Sequence, residues 1–247
     1  VADPRFSIIT PTFNSGSKLL ETYKSVAVQA VDFEYIIMDG ASTDETKSIG
    51  EKLAAEDKRV RFFSEPDRNT YDAMNKAITK ARGDFLYFLG AGDLLIAGSL
   101  GEIARHLPAE LNTFVYGDCS LNGERYFGEF DKHLLGYQNI CHQGIFYGKK
   151  VFEICGNYDI RFRAWADWDL NMRCFGNRGI RKIYVPVVVA VFELGGLSTP
   201  GDDLFRAQRM QLIRRHLGWI TYLQIALRPA YNRLRATAGR ILRPFRK

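Results

Sequence analysis

The 247-residue sequence is poor in cysteine, with four in all. Cys119, Cys141, Cys155 and Cys174 form no CxxC pair and no metal-ligand spacing. That argues against a cysteine-built metal site and reads as reduced thiols in a reducing compartment. No apolar run approaches the roughly 20 residues that a membrane span needs. The longest candidates are Ile183–Phe192 and the mixed stretch Leu217–Leu227. The opening Val1-Ala2-Asp3-Pro4 leads straight into a strand pattern, and no signal peptide is read there. Internal repeats and low-complexity tracts are missing too. With 46% hydrophobic and 25% charged residues, the chain is neither disordered nor collagen-like.

The last absence is of acid. From Leu204 to Lys247 there is no Asp or Glu, yet eleven of the 34 basic residues lie there. The remainder carries 23 basic against 28 acidic residues, so the overall +6 splits into a body of −5 and a tail of +11. A nucleic-acid reader carries basic and aromatic residues interleaved on its folded body. Residues 1–203 show none, so no nucleic-acid partner is expected. Two units are expected instead: a domain over 1–203 and a basic helical tail over 204–247. In the tail Met210, Ile213, Leu217, Ile220 and Leu227 fall near one helical face, with Trp219 and Tyr222 nearby, and Pro229 ends the segment. Such a face either packs on the body or meets an anionic membrane surface. The expected location is cytoplasmic, peripheral on the inner face of the membrane.

In the body, short β-rich runs alternate with helical patterns. Strands are predicted at Phe6–Thr10, ended by Pro11, then at Phe33–Met38, Arg59–Phe63 and Phe85–Leu89. Helices are predicted at Lys18–Gln29, from Ser42-Thr43-Asp44 to Glu56, over Tyr71–Ala81, and near Ser99–Leu107. This alternation is the signature of an α/β fold, a mainly parallel sheet flanked by helices. Ligands of such sheets bind beyond the carboxyl ends of the strands. Pro11-Thr12, Asp39-Gly40, Glu65-Pro66-Asp67 and Gly92-Asp93 all fall there. After Leu107 the rhythm changes. Thr113–Asp118 and Glu124–Phe130 read as a hairpin around Asn122-Gly123. Asp167–Phe175 reads as a helix and Ile183–Phe192 as a strand containing Pro186. Antiparallel additions to the sheet are expected from this half.

Each polar motif also has a plain structural role open to it. Ser42 and Asp44 serve as helix caps as well as ligands. Gly90-Ala-Gly-Asp93 makes a turn, or a close approach to a ligand with one carboxylate for a hard cation. Asp167 suits a general base. Asp169 caps the same helix or pairs with Arg173 at i+4. His142 is a lone histidine, structural or catalytic.

Taken in order, the motifs carry more than each alone. They are Ser-Ile-Ile-Thr-Pro-Thr-Phe-Asn (7–14), Asp-Gly-Ala-Ser-Thr-Asp (39–44), Glu-Pro-Asp with Tyr-Asp-Ala-Met-Asn-Lys (65–76) and Gly-Asp with Leu-Gly-Ala-Gly-Asp (83–93). Cys-His-Gln (141–143), Ala-Asp-Trp-Asp-Leu (166–170) and Phe-Glu-Leu-Gly-Gly-Leu-Ser (192–198) follow. With this set the chain, from about Phe6 to Ser198, resembles the family 2 glycosyltransferases of GT-A (Rossmann-like) fold, of the bacterial surface-polysaccharide or glycan-assembly type. The resemblance implies inverting transfer of a sugar from a nucleoside-diphosphate sugar, with UDP-sugar expected, to a hydroxyl of a glycan or lipid-linked acceptor. It implies that Pro11, Thr12 and Asp39 line the nucleobase and ribose pocket, and that Asp67, Tyr71, Asp72 and Asn75 line the nucleotide or donor-sugar side, with Gly92 beside the diphosphate. It implies Asp93 as the carboxylate that holds Mg²⁺ or Mn²⁺, Asp167 as general base, and His142, Gln143 and Trp168 toward the diphosphate or acceptor. The family often has Asp at position 92 and Glu at 166, where this chain has Gly92 and Ala166. The competing expectation is a degenerate transferase that binds a nucleotide sugar without turnover.

Overall fold

The computed structural model describes residues 3–121, 123–126, 128–192 and 201–228. The expectations placed on 193–198 and on Pro229 and the residues after it lie outside these.

The first half alternates as read: β1 (Phe6–Thr12), α1 (Gly16–Ala27), β2 (Phe33–Asp39), α2 (Thr46–Glu56), β3 (Val60–Ser64), α3 (Thr70–Lys80) and β4 (Phe85–Phe88). The second half adds β5 (Leu94–Leu95), α4 (Ser99–Ala104), β6 (Thr113–Leu121), β7 (Glu124–Tyr126), α5 (Lys132–Tyr137), β8 (Ile145–Gly148), α6 (Lys150–Cys155), α7 (Ala166–Gly176), β9 (Arg181–Phe192) and α8 (Asp203–Leu212). One sheet takes them in the order β3-β2-β1-β4-β8-β6-β9-β5, with β7 beside β6. β1 to β4 are parallel neighbours. β8 runs antiparallel between β4 and β6.

Several boundaries differ from the sequence pattern, and three departures, at β1, α2 and β9, have a clear local reason. β1 runs through Pro11 to Thr12 instead of stopping at Pro11. Its residues alternate between neighbours: Thr12 O takes Gly40 N on the β2 side, while Ile9 O takes Leu89 N on the β4 side. Pro11 therefore faces the β4 side, where pairing has already ended at Ile9 and Phe88, so its missing N–H breaks no bond. α2 begins at Thr46, not at Ser42, because Ser42 and Thr43 bond to Asp39 and Asn14, while Asp44 Oδ1 accepts from Thr46 N, in the first turn, at 3.0 Å. β9 pairs parallel with β6, where only antiparallel additions were expected. Its Pro186 sits in a bulge, between the pairings Tyr116 with Tyr184 and Asp118 with Val188.

The sheet is buried on both faces, and its side chains alternate between two cores. Ile8, Tyr35, Ile37 and Tyr87 meet α1, α2 and α4 through Leu19, Val26, Leu53 and Ile103. Ile9, Ile36, Met38 and Phe88 meet α3 and α7 through Tyr71, Met74, Leu170 and Met172. The tail joins this second core with Phe205, Leu212, Ile213, Leu217 and Ile225. A π turn at Ile213–Leu217 and Gly218, at φ +94°, then redirect the chain. Residues 219–228 are helical again. The single apolar face read from the sequence is thereby split: Ile213 and Leu217 point inward, whereas Ile220 and Leu227 are exposed.

Candidate functional site

The strand order reverses between β1 and β4, and a sheet of this kind opens a crevice at that point, beyond the carboxyl ends of its strands. Thr12, Asp39 and the Gly90–Asp93 loop stand on this rim.

Asp39 closes β2 and is fully buried. Its carboxylate accepts from Ser42 N at 3.1 Å, from the Ser42 hydroxyl and from Ser64 Oγ at 2.7 Å. Asn14 ties the two loops above it: Asn14 N donates to Ser42 Oγ at 2.8 Å, and Asn14 Oδ1 accepts from Thr43 N at 2.9 Å. Thr12 lies opposite Asp39 in register, and its hydroxyl is buried without a hydrogen-bond partner. An orphaned buried hydroxyl is costly and is a common mark of a site that a polar ligand completes. Asp67 lies against Gly40, where an added Cβ would stand 2.5 Å from Asp67 Oδ2. Burial pushes the Asp67 carboxyl above its usual range; Lys76 pulls it back, while Asp72 and Asp39 push it further up.

Asp93 follows β4. Its Oδ2 accepts from Gln143 Nε2 at 2.8 Å, and Gln143 Oε1 takes the Cys141 thiol at 2.8 Å. Burial holds that thiol well above its ordinary pKa, so it stays an S–H donor and fixes the orientation of the amide. Gly92 has φ +103°, so an aspartate there would be strained. The loop has taken a shape that suits glycine. Among the described residues no group of three or more His, Cys, Asp and Glu gathers as a metal cage. One carboxylate at a rim is the donor set that a hard cation uses when phosphate oxygens supply other ligands, so Asp93 fits that mode.

Asp167 opens α7 and is 6% exposed. Tyr71 Oη lies 2.9 Å from its Oδ1, and Asn139 Nδ2 donates to its Oδ2 at 2.7 Å. Burial raises its pKa above the carboxylate range; His142, the bonds from Tyr71 and Asn139, and the Trp168 backbone N–H oppose the rise. A carboxylate so placed is more basic than usual, which suits proton removal. Ala166 beside it is fully buried.

The structure places other sequence candidates less directly on the rim. Asp72 accepts from Arg68 N at 3.0 Å and holds the loop before α3. Asn75 spends both ends of its amide on the Tyr158 backbone, at 2.9 and 3.0 Å. Trp168 donates to Leu135 O at 2.7 Å and stacks on Phe205 at 5.1 Å, so it anchors the tail. Asp169 pairs with Arg173 at 2.9 Å. Ser64, Asn139, Asn171 and Tyr147 were not legible as site residues. No motif marks them, and only the fold carries them to the two carboxylates.

A family model described as Glycosyl transferase family 2 matches residues 7–185. A PGL/p-HBAD biosynthesis glycosyltransferase of Mycobacterium tuberculosis is 43% identical over 226 residues, 87% of each chain. A GalNAc(5)-diNAcBac-PP-undecaprenol beta-1,3-glucosyltransferase of Campylobacter jejuni is 31% identical over 136 residues, 54% of this chain and 43% of that one. Among solved structures, S. aureus TarS 1-349 in complex with UDP-GlcNAc superposes with a TM-score of 0.68 at 17% identity, over 86% of this chain and 71% of that one. A mannosyltransferase from Pyrobaculum calidifontis in complex with GDP-Man and Mn²⁺ gives 0.63 at 20% identity, over 92% and 65%. These two likenesses are of fold.

Proposed function

The chain belongs to glycosyl transferase family 2 and is a glycosyltransferase, and from that premise we propose an inverting transfer with Asp167 as the base. The observation that carries this reading is the Asp167 carboxylate, buried and made basic at the rim. Thr12 and Asp39 take the nucleoside of a nucleoside-diphosphate sugar, with uracil the proposed base, and Asp67 lies on the donor side. Asp167 removes the proton of the acceptor hydroxyl. The acceptor oxygen attacks the anomeric carbon from the face opposite the diphosphate. The bond from that carbon to the diphosphate oxygen breaks, and its electron pair leaves with the nucleoside diphosphate. A Mg²⁺ or Mn²⁺ ion held by Asp93 and the diphosphate would offset the charge on the leaving group.

The proposed acceptor is a lipid-linked glycan presented at an anionic membrane. Undecaprenol in the name of the Campylobacter jejuni relative supports it. So do Trp219, Ile220, Leu223 and Leu227, exposed together on the last helical segment; Arg228 on that segment and Arg214, over the Trp219 ring from the π turn, add positive charge. Among the described residues no helix is long and apolar enough to cross a membrane. Thermal-shift titration with UDP, GDP and their sugars, with and without Mn²⁺, tests the donor. UDP compounds should stabilise the protein most, and a larger shift with GDP compounds rejects the uracil assignment. Sedimentation with phosphatidylglycerol vesicles tests the surface. Trp219→Ser combined with Ile220→Ser should lose binding, and unchanged binding rejects the surface.

A further inference from the structure

Asp167 ends a chain of buried and partly buried polar groups that the proposed mechanism does not use. An ionised carboxylate only accepts hydrogen bonds. The group 2.7 Å from Oδ2 is therefore the Asn139 amide nitrogen. The Asn139 oxygen then faces away and takes Asn171 Nδ2 at 2.8 Å. Asn171 Oδ1 in turn takes the Tyr147 hydroxyl at 3.0 Å. Asn171 and Tyr147 are buried, on α7 and β8. Turning either amide over would set two donors or two acceptors face to face, so each link fixes the next.

The other oxygen has a different arrangement. Tyr71 Oη lies 2.9 Å from Asp167 Oδ1 and 2.8 Å from the Ala164 carbonyl oxygen. One O–H proton cannot serve both. With Asp167 ionised, the hydroxyl donates to Oδ1. With Oδ1 protonated, the carboxyl donates to Tyr71 Oη, and the tyrosine proton turns to Ala164 O.

We infer that Tyr147, Asn171 and Asn139 form a one-way relay of donors ending on Oδ2, and that Tyr71 is a hydroxyl switch on Oδ1 that reverses when the carboxylate is protonated. All four are positioning residues. The inference rests on Asp167 being the base. The relay keeps Oδ2 an acceptor through the whole cycle, so the proton leaving the acceptor hydroxyl arrives on Oδ1. There the acceptor O–H bond breaks, the carboxyl O–H bond forms, and the pair left on the acceptor oxygen makes the new glycosidic bond. The ionisable groups facing Asp167 are Tyr71 from α3 and His142 from the turn before β8. Tyr147 from β8 and Tyr158 from the α6–α7 connection feel its charge. Charge on His142 favours the ionised form, and the tyrosine hydroxyls are neutral over the working range, raised well above their ordinary pKa by burial.

The test is kcat and KM as functions of pH for Asn139→Ala, Asn171→Leu and Tyr147→Phe. Asn139 lies in a partly exposed loop, so that variant keeps the proposal testable if the core variants fail to fold. KM for the nucleotide sugar should stay within about twofold. The acid limb of kcat should move to higher pH, with kcat on that limb falling roughly tenfold to a hundredfold in Asn139→Ala. Tyr147→Phe should move the limb the same way by less. An acid limb that stays in place in both, while the melting temperature falls, makes the network purely structural and overturns the relay. If Asp167→Asn turns over normally, the base assignment fails separately. The relay is then judged on the carboxylate's own titration, followed by ¹³C NMR of labelled aspartate. An upward shift in Asn139→Ala upholds it, and no shift rejects it.

Discussion

The amino rim of the sheet and the candidate site at its carboxyl rim treat buried acid in opposite ways. At the amino ends of the strands, carboxylates are paired with cations. Glu34, 2% exposed, meets Arg61 at 2.6 Å and Arg82 at 3.1 Å. Asp84 meets Arg5 at 3.2 Å and Lys149 at 3.6 Å. At the carboxyl ends, buried Asp118 on β6 also pairs with a cation, Arg125, but the hydrogen-bond donors to Asp39 and Asp167 are neutral. Asp39 has two serines, and Asp167 has Tyr71 and Asn139. The first arrangement is spent on stability. In the second, negative charge is held in place by dipoles and stays available to a ligand, a cation or a proton. Burial alone would push Glu34 up, but Ser7, the Arg82 backbone and Arg61 outweigh it and hold its carboxyl below the ordinary range. Asp167 shows the opposite balance: burial wins and the carboxyl is raised.

The contrast breaks first, if it is wrong, at Asp167. Asp167→Asn should lower kcat by about 10²–10⁴-fold while nucleotide binding stays near normal. In the parent enzyme kcat should fall as pH drops through a pKa above the usual carboxylate range, since a base must be ionised. Turnover assays across pH check both, and near-normal turnover in the variant removes Asp167 from the role. Next comes the paired rim. Glu34→Ala should cost about 3 kcal/mol in denaturant unfolding, since removing one member of a buried pair strands the other charges; Arg61 and Arg82 are partly exposed, which softens the loss. Activity per folded molecule should not change. Because the folded pKa of Glu34 is depressed, its contribution is present above the ordinary carboxylate range and is lost as pH falls from there through the depressed folded pKa. The variant should therefore lose part of the acid dependence of stability.

Two smaller effects sharpen the comparison at the neutral-donor site. Asp39→Asn should weaken nucleotide binding roughly tenfold to a hundredfold by calorimetry, the worth of one charge-assisted hydrogen bond. A drop in melting temperature with unchanged affinity would move Asp39 to the structural side of the contrast. Thr12→Val should leave the free protein as stable or more stable, by about 1 kcal/mol, because it removes an orphaned buried hydroxyl. Its nucleotide affinity should fall several-fold. Unchanged affinity would show that the hydroxyl meets no ligand.

Much of the parallel half was legible. The runs that became β1 to β4 and their helices alternate with a period that short-range pattern reveals, and the rim residues Thr12, Asp39 and Asp93 follow from the strand ends. The second half was read less well because its strands are fixed by distant partners. β8 has no signal of its own, and it is placed by pairing with β4 and β6. The parallel course of β9 depends on the connection from β6 through α5, β8, α6 and α7. In the tail, helical spacing suggested one apolar stripe. The π turn and Gly218 divided it into a packed half and an exposed half.

By itself the sequence determined the alternation, the charge split between body and tail, and which polar motifs reach the carboxyl rim. Those properties depend on residues close together in the chain, through periodic burial and turn chemistry. Only the tertiary structure decided what each acid is bonded to. Ser64 meets Asp39 across 25 positions, Asn139 meets Asp167 across 28 and Tyr71 meets it across 96. No local period carries such pairings. They arise when the sheet brings strand ends together, and they decide whether a buried carboxylate is neutralised or left basic.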